Sequence, residues 1–243
     1  MSKGKEKFLE IKALFKRLSD EMCRTVEIYW IWQTLAFARS IPEVGKEEAE
    51  KNVIIINRNK YFFMPVEDSL LHAFIIGLSK FFDKNPQSLS IAALIKKIHE
   101  SKEEITADVL LEVYPDHFND DENLKKNYSP LNDADIKNIS DLKLKHKLII
   151  ENLKIIRDKR SAHTDIAIIR GEFIPKDVEA LILAIQEMLN KLSSTFNRSK
   201  TIWDHLKTEA INDTKLLIEN LERGEEQRMA EIKKRFSLPK PTK

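Results

Sequence analysis

Apolar residues recur every three or four positions along most of the chain, which is the period of amphipathic helices. The first such stretch predicts a helix from about Lys5 to Arg39 that ends near Pro42. Its apolar positions are Phe8, Ile11, Phe15, Leu18, Met22, Tyr29, Trp32 and Ala36, with Thr25 as the only polar interruption. A stripe of this kind, rich in aromatic residues, indicates core packing rather than a ligand site.

The same period predicts further helices, whose starts are marked by proline or by a residue that can cap a helix. These helices begin at Pro65, at Ser88 as N-cap, near Ile105, near Asn132, at Pro175 and near Asp213. The helix from Asn132 extends to about Arg160, and the last covers roughly Asp213 to Phe236. Because the last helix has a narrow apolar face, we expect it to lie on the surface or against a partner subunit.

Two connecting regions are less regular. Glu47 to Asn52 allows one or two helical turns, and Val53–Ile56 with Tyr61–Phe63 predicts a small hairpin around a polar turn. An isolated hairpin is weak, so it would have to lie on the helices. The acidic stretch from Asp116 to Tyr128 is not an EF-hand, because Phe118 stands where an oxygen ligand is needed and the required glycine is absent. It is predicted to be a solvated loop, and Ile166–Phe173 to be a connector.

The predicted architecture is therefore all-α, a multi-helix up-and-down bundle with at most a small hairpin. Residues 1–198 are expected to form the bundle, and residues 199–243 a C-terminal helical extension that packs on the bundle or on a partner. Only five glycines occur in the 243 residues, which argues against glycine-rich phosphate-binding loops.

Charge and cysteine content narrow the classes of function. The formal net charge is only +2, so any surface that binds nucleic acid must be local. Cys23 is the single cysteine, which excludes an intramolecular disulfide and any zinc site with several cysteines. No apolar run approaches the roughly 20 residues that a membrane span needs, and we expect a cytoplasmic protein.

The candidate chemistry lies in the stretch from Leu148 to Asp165, where an apolar helical pattern leads into a cluster of charge. One helical stripe, with steps of four, three, four and three, carries Ile149, Leu153, Ile156, Arg160 and His163. One interpretation is that the cationic residues of this stretch only complement the negative end of the helix dipole. These residues are Arg157, Lys159, Arg160 and His163. The other five histidines are scattered without the spacing of metal ligands, and we predict no metal site and no cofactor.

The residues Arg157-Asp158-Lys159-Arg160-Ser161-Ala162-His163 resemble the R-x(4–6)-H motif of the HEPN superfamily. Ile155 to Asp165 resembles the abortive-infection, AbiU-type branch of that superfamily, as do Tyr61 to Leu71, Phe82-Asp83 and Ser88-Leu89. The resemblance covers roughly Phe62 to Phe196.

This resemblance implies a helical bundle that forms homodimers and, in many members, a metal-independent RNA endonuclease of toxin–antitoxin or antiphage systems. His163 would be the general acid/base and Arg157 would stabilise the phosphate. Asp158 would orient one of them, and Lys159 and Arg160 would hold flanking phosphates of the RNA. The resemblance also implies a possible protein antitoxin of nucleotidyltransferase type. The alternatives are a HEPN-fold module that binds RNA, a nucleotide or a partner protein without cutting, and a purely structural helical dimer.

The spacing of the motif departs from a simple arrangement within one helix. Six residues place Arg157 and His163 about 120° apart on an ideal helix, so Arg160 is an alternative arginine for the site. We expect a symmetric dimer whose two-fold axis passes near these helix ends, so that each His163 faces an arginine of the other chain. We also expect His163 to be partly exposed, in or just after the last turn of its helix.

Overall fold

A computed structural model describes residues 2–85, 87–115, 126, 128–162 and 174–237, without the side chains of residues 159–162 and 237. Every regular element within these residues is a helix, which confirms the all-α fold class. In chain order the helices are α1 (Lys3–Phe37), α2 (Ile41–Val44), α3 (Lys46–Arg58), α4 (Lys60–Lys80), α5 (Ile91–Glu100), α6 (Ala107–Val113), α7 (Asp133–Lys145), α8 (Lys147–Ala162), α9 (Pro175–Phe196) and α10 (Asp204–Ser237).

The chain divides into two compact units. The first comprises residues 1–25 and 74–203, and the second comprises residues 26–73 and 204–243. Helices α1 and α4 each contribute residues to both units. The boundary at residues 198 and 199 that the sequence suggests stays a prediction, and the C-terminal helix α10 groups with residues 26–73.

The first unit is built around the aromatic stripe of α1 and the apolar face of α9. The Phe196 ring stacks on Phe8 at 4.6 Å and on Phe15 at 5.3 Å between centroids. The Tyr128 hydroxyl donates to the Phe196 carbonyl oxygen at 2.7 Å, and burial raises the pKa of that phenol. All the apolar positions predicted for α9 are buried, namely Val178, Leu181, Ile185, Met188, Leu189, Leu192 and Phe196.

The second unit has its own apolar cluster, which consists of Leu35, Ala38, Ile56, Phe63 and Ile218. The buried Asn52 side chain donates to the Ala38 carbonyl oxygen at 2.8 Å, just after the end of α1. One guanidinium nitrogen of Arg39 contacts both carboxylate oxygens of Glu67 at 2.8 Å. The apolar cluster draws on α1, α3, α4 and α10.

The predicted hairpin is wrong, because residues 53–56 lie in α3 and residues 61–63 lie in α4. The β-branched run suggests a strand, but α3 buries Ala49, Asn52, Ile55 and Ile56, which share one helical face. The two helices are separated by Asn59 alone, whose side-chain amide donates to the Ile55 carbonyl oxygen at 2.9 Å. Of the polar residues 57–60 that suggested a hairpin turn, only Asn59 therefore lies outside the two helices.

Helix α4 begins at Lys60, five residues before the predicted start, and contains Pro65 within it. Proline cannot donate to the carbonyl four residues earlier, which is that of Tyr61. Tyr61 is 87% exposed, so water can reach this backbone. By length and composition α4 is also the one helix, among those described, that would be able to span a membrane. Buried core helices pass the same test, and Phe74 and Leu78 of α4 are buried in the protein.

Three other helix boundaries differ from prediction. Ser90, rather than Ser88, caps α5 by accepting from the Ala93 amide at 3.2 Å. The long helix expected from Asn132 to Arg160 is two helices, because the backbone breaks at the buried His146. Helix α10 starts at Asp204, nine residues before the predicted start, and this first part buries Leu206 and Ala210. Many charged residues around these few apolar positions obscure the helical period.

Candidate functional site at the end of helix α8

Helix α8 carries the candidate motif and is anchored by an apolar seam. Ile150, Leu153 and Ile156 are 6%, 2% and 2% exposed. Ile149, which the sequence places in this seam, is only half-buried, and its neighbour Ile150 is the buried residue instead. The buried face of α8 is therefore rotated slightly around the helix axis from the predicted face, toward the side that carries Arg157.

Arg157 extends the same buried face, because it follows Ile150 by seven residues, or two helical turns. Its side chain is 30% exposed, whereas that of Asp158 is 66% exposed. Two guanidinium nitrogens of Arg157, Nε and Nη2, contact Asp158 Oδ1 at 2.9 and 2.8 Å. This contact restrains the plane of the guanidinium at the point where the seam meets the surface. The predicted role of Asp158, to orient Arg157 or His163, stays a prediction.

Lys154 makes a further positioning contact that no motif in the sequence indicates. Its ammonium donates to the Phe82 carbonyl oxygen at 3.3 Å, just beyond the last residue of α4. The C-terminal end of a helix presents unpaired carbonyl groups and negative partial charge, which a lysine complements. One turn before Arg157, α8 is therefore tied to the end of α4. The only sequence signal is a lysine among apolar residues.

The remaining predicted site residues are described incompletely or not at all. Lys159 and Arg160 belong to α8, but their side chains lie outside the description. His163 lies outside the described residues, so the expectations about its exposure and its place in the helix stay predictions. The choice between Arg157 and Arg160 as the working arginine stays open for the same reason.

A shallow groove lies elsewhere in the first unit, between α7 and α9. Its volume is about 250 Å³, and it is lined by Asn138, Asp141, Leu142, Lys145, Glu187 and Lys191. Two carboxylates offset its two ammonium groups, and Glu187 already pairs with Lys191 at 3.6 Å. The groove therefore has no excess of positive charge for a phosphate. Within the described part of the chain no cluster of His, Cys, Asp or Glu is arranged to hold a metal ion.

The fold and the site define an all-α protein with an arginine–aspartate contact at the surface end of a core helix. The model of the AbiU2 family, a HEPN-type abortive-infection family, matches residues 8–217, and the chain belongs to that family. The match is wider than the resemblance noted above, since it takes in most of α1 and the first part of α10. No curated protein and no solved structure matches the chain. Family membership associates the protein with abortive infection and with an RNase-like role.

Proposed function

We propose that the protein is a metal-independent RNA endonuclease that acts as the toxin of a toxin–antitoxin or antiphage abortive-infection system. The observation that supports this most directly is the geometry at Arg157. Its guanidinium is half-buried at the end of the α8 seam and is held by Asp158 at 2.8–2.9 Å. A restrained, planar cation that can contact two phosphate oxygens is suited to stabilise the charge that builds up on a phosphodiester during cleavage. Family membership supports the same conclusion.

The chemistry follows from the substrate. RNA carries its own nucleophile, the 2′-hydroxyl, so the protein needs to move a proton and to offset the charge that builds up on the phosphate. His163, with an intrinsic pKa near 6.5, takes the proton from the 2′-hydroxyl or gives one to the leaving 5′-oxygen. Arg157 stabilises the phosphate, and Lys159 and Arg160 bind neighbouring phosphates. The products are a 2′,3′-cyclic phosphate and a 5′-hydroxyl.

A homodimer around α8 is part of this proposal. Leu148 and Ile155 lie seven residues apart on the outer face of α8 and are 75% and 47% exposed. Two large apolar side chains on one exposed helical face offer a surface that a second copy can cover. A two-fold axis near the motif would bring His163 of one chain to Arg157 of the other, which removes the difficulty of their 120° offset.

The dimer has an electrostatic cost. Two cationic helix ends repel by about 1 kcal/mol for each close pair in water, and by more where water is excluded. Burial of Leu148 and Ile155 would contribute about 1.5–3 kcal/mol for each side chain that is fully covered. A bound RNA phosphate would turn the repulsion into attraction. The resemblance to the family also implies an antitoxin of nucleotidyltransferase type. Such an antitoxin would act by covering or modifying this end of α8.

The decisive experiment compares RNA cleavage by the full chain and by Arg157→Ala and His163→Ala variants, with EDTA present. We expect cleavage by the unmodified chain and a loss of at least a hundredfold in each variant. Arg160→Ala distinguishes the two candidate arginines, since the larger loss identifies the one that serves the phosphate. Analysis of the new ends should find the cyclic phosphate.

Lys147→Ala is the matched control, because it removes an exposed cation from the first turn of the same helix. It should leave the rate unchanged within a factor of two. If the unmodified chain binds RNA but leaves it intact, the protein is a binding module and the proposed catalysis is wrong. Cleavage that persists in both the Arg157 and the His163 variants would assign the activity to other residues or to a contaminant.

A further inference from the structure

The C-terminal half of α10 carries an apolar seam that continues beyond the part packed on the second unit. Ile218 belongs to the apolar cluster of that unit, and Leu221 packs against it. The next positions on the same helical face are Met229, Ile232 and Phe236. Met229 and Phe236 are 39% and 87% exposed, and from Glu226 to Phe236 only Ile232 is even half-buried. A seam that is buried at one end and exposed at the other lacks its partner along residues 225–236.

The charges along this part of α10 are segregated by sign. Between residues 219 and 231 there are five glutamates and two arginines, a net charge of −3 from five negative and two positive side chains. Residues 233–235 are Lys-Lys-Arg, a net charge of +3. The acidic part lies toward the start of the helix and the basic part toward its end. Such a segment is complementary to a copy of itself that runs in the opposite direction, and it repels a parallel copy.

We propose that residues 225–236 of α10 pair with the same segment of a second copy of this chain as an antiparallel helix pair. In the antiparallel register Glu226 lies opposite Lys233 of the second copy. Glu226 and Lys233 flank the apolar seam on the same side, so each can face the other residue of the second copy. This pair occurs twice by symmetry, and Met229 lies beside the two-fold axis.

The charge pattern also argues against a polyanionic ligand as the occupant. RNA or an anionic membrane would be attracted by the three cations at residues 233–235 and repelled by the glutamates one to two turns earlier. Within one chain Arg228 already contacts Glu225 at 2.9 Å, and Glu225 also pairs with Arg58. The pair that the second copy would form with the least rearrangement is therefore Glu226 with Lys233. This surface is separate from the α8 face in the proposed nuclease dimer.

A reciprocal charge swap tests the pairing in the full chain. Glu226→Lys sets lysine against Lys233 of the second copy, and Lys233→Glu sets glutamate against its Glu226. We expect each variant alone to associate at least tenfold more weakly than the unmodified chain, as measured by sedimentation across protein concentrations. An equimolar mixture of the two variants should recover the original association within about threefold, because both pairs are then of opposite charge. Failure of the mixture to recover would overturn the proposal.

Cross-linking tests the direction of the pairing. In the antiparallel register Met229→Cys places its two copies beside the axis, whereas the two Phe236→Cys positions are separated by about 13 residue steps, or roughly 20 Å. A short bis-maleimide should therefore link Met229→Cys chains and leave Phe236→Cys chains unlinked, with the parent chain, which retains Cys23, as control. Linking at both positions would show a parallel pair, and linking at neither would show that this seam does not self-associate.

RNA cleavage by the same variants separates this inference from the proposed function. Glu226→Lys and Lys233→Glu should cut RNA at the rate of the unmodified chain if the α8 dimer suffices for activity. If the α10 segments do not pair but RNA is still cleaved, the pairing is wrong and the proposed nuclease function is unaffected. If the segments pair but RNA is not cleaved, the nuclease function is wrong and the pairing is unaffected.

Discussion

Gly77 in α4 lies against Thr25 of α1 at the tightest side-chain approach of any glycine in the described chain. A Cβ added to Gly77 would meet Thr25 Oγ1 at 2.4 Å and its Cγ2 at 3.0 Å. Thr25 is 2% exposed, and its hydroxyl donates to the Glu21 carbonyl oxygen at 2.7 Å. The side chain is therefore fixed, and it has little freedom to move away from an added methyl group. We expect Gly77→Ala to destabilise the protein.

The magnitude comes from two opposing contributions. Overpacking of a tight core costs about 1–3 kcal/mol. Replacing glycine by alanine inside a helix gains about 0.5–1 kcal/mol. Gly224 provides the matched control, because it lies in the middle of α10 and an added Cβ meets nothing within 4 Å. Gly224→Ala should therefore stabilise by the helix-forming gain alone, and the difference between the two variants should isolate the cost of overpacking.

Urea unfolding followed by circular dichroism measures this difference. We expect Gly77→Ala to be about 1–3 kcal/mol less stable than Gly224→Ala, which corresponds to a Tm lower by about 2–4 °C for each kcal/mol. In the Gly77→Ala background, Thr25→Ala should recover part of the loss, because it removes both colliding atoms. Equal stability of the two glycine variants, or no recovery by the second change, would refute the packing argument.

Two further changes test polar contacts of the fold. Asn52→Ala should cost about 1–3 kcal/mol in urea unfolding, because the Ala38 carbonyl oxygen loses its buried donor; a cost below about 0.5 kcal/mol would mean that the carbonyl has another partner. Burial lowers the pKa of His146, with Lys145 acting in the same direction and Asp177 opposing. The His146 side chain therefore binds a proton more readily in the unfolded chain than in the folded one. The contribution of His146 to the free energy of unfolding should be fully present above pH 6.5 and should decrease as the pH falls below it, by no more than about 1.4 kcal/mol per pH unit. His146→Gln should remove this dependence, and an unchanged slope in that variant would assign it to other groups.

The helices that the sequence predicts best are those with a continuous apolar stripe and a clear start signal. The stripe of α1 is buried from Phe8 to Tyr29, although Trp32 and Ala36 are only half-buried, and α9 begins at Pro175 as predicted. In both helices the period, the capping signals and the tertiary packing favour the same structure. Sequence reasoning about local pattern succeeds where these sources of information agree.

The errors arise where local propensity and tertiary packing disagree. Val53 to Ile56 has the composition of a strand, but Ile55 and Ile56 cover the apolar cluster of the second unit from a helix. Pro65 is an ordinary helix start, yet α4 continues on its N-terminal side because Phe63 is buried in the same cluster. The break at His146 has no proline or glycine signal. In these places the deciding contacts come from residues far away in the sequence, which a pattern in one segment does not contain.

The candidate site shows the same division between local and distant information. The spacing from Ile150 to Arg157 places the guanidinium on the buried face of α8, and its contact with Asp158 is between neighbours in the chain. The tie from Lys154 to the Phe82 carbonyl joins residues 72 positions apart, and no motif indicates it. If Arg157 and His163 act on one phosphate, a further distant contact is needed, since an ideal continuous helix would place them about 120° apart. A two-fold axis is one way to provide that contact. The exposed Leu148 and Ile155, on the outer face of α8, are the residues through which the second chain would approach.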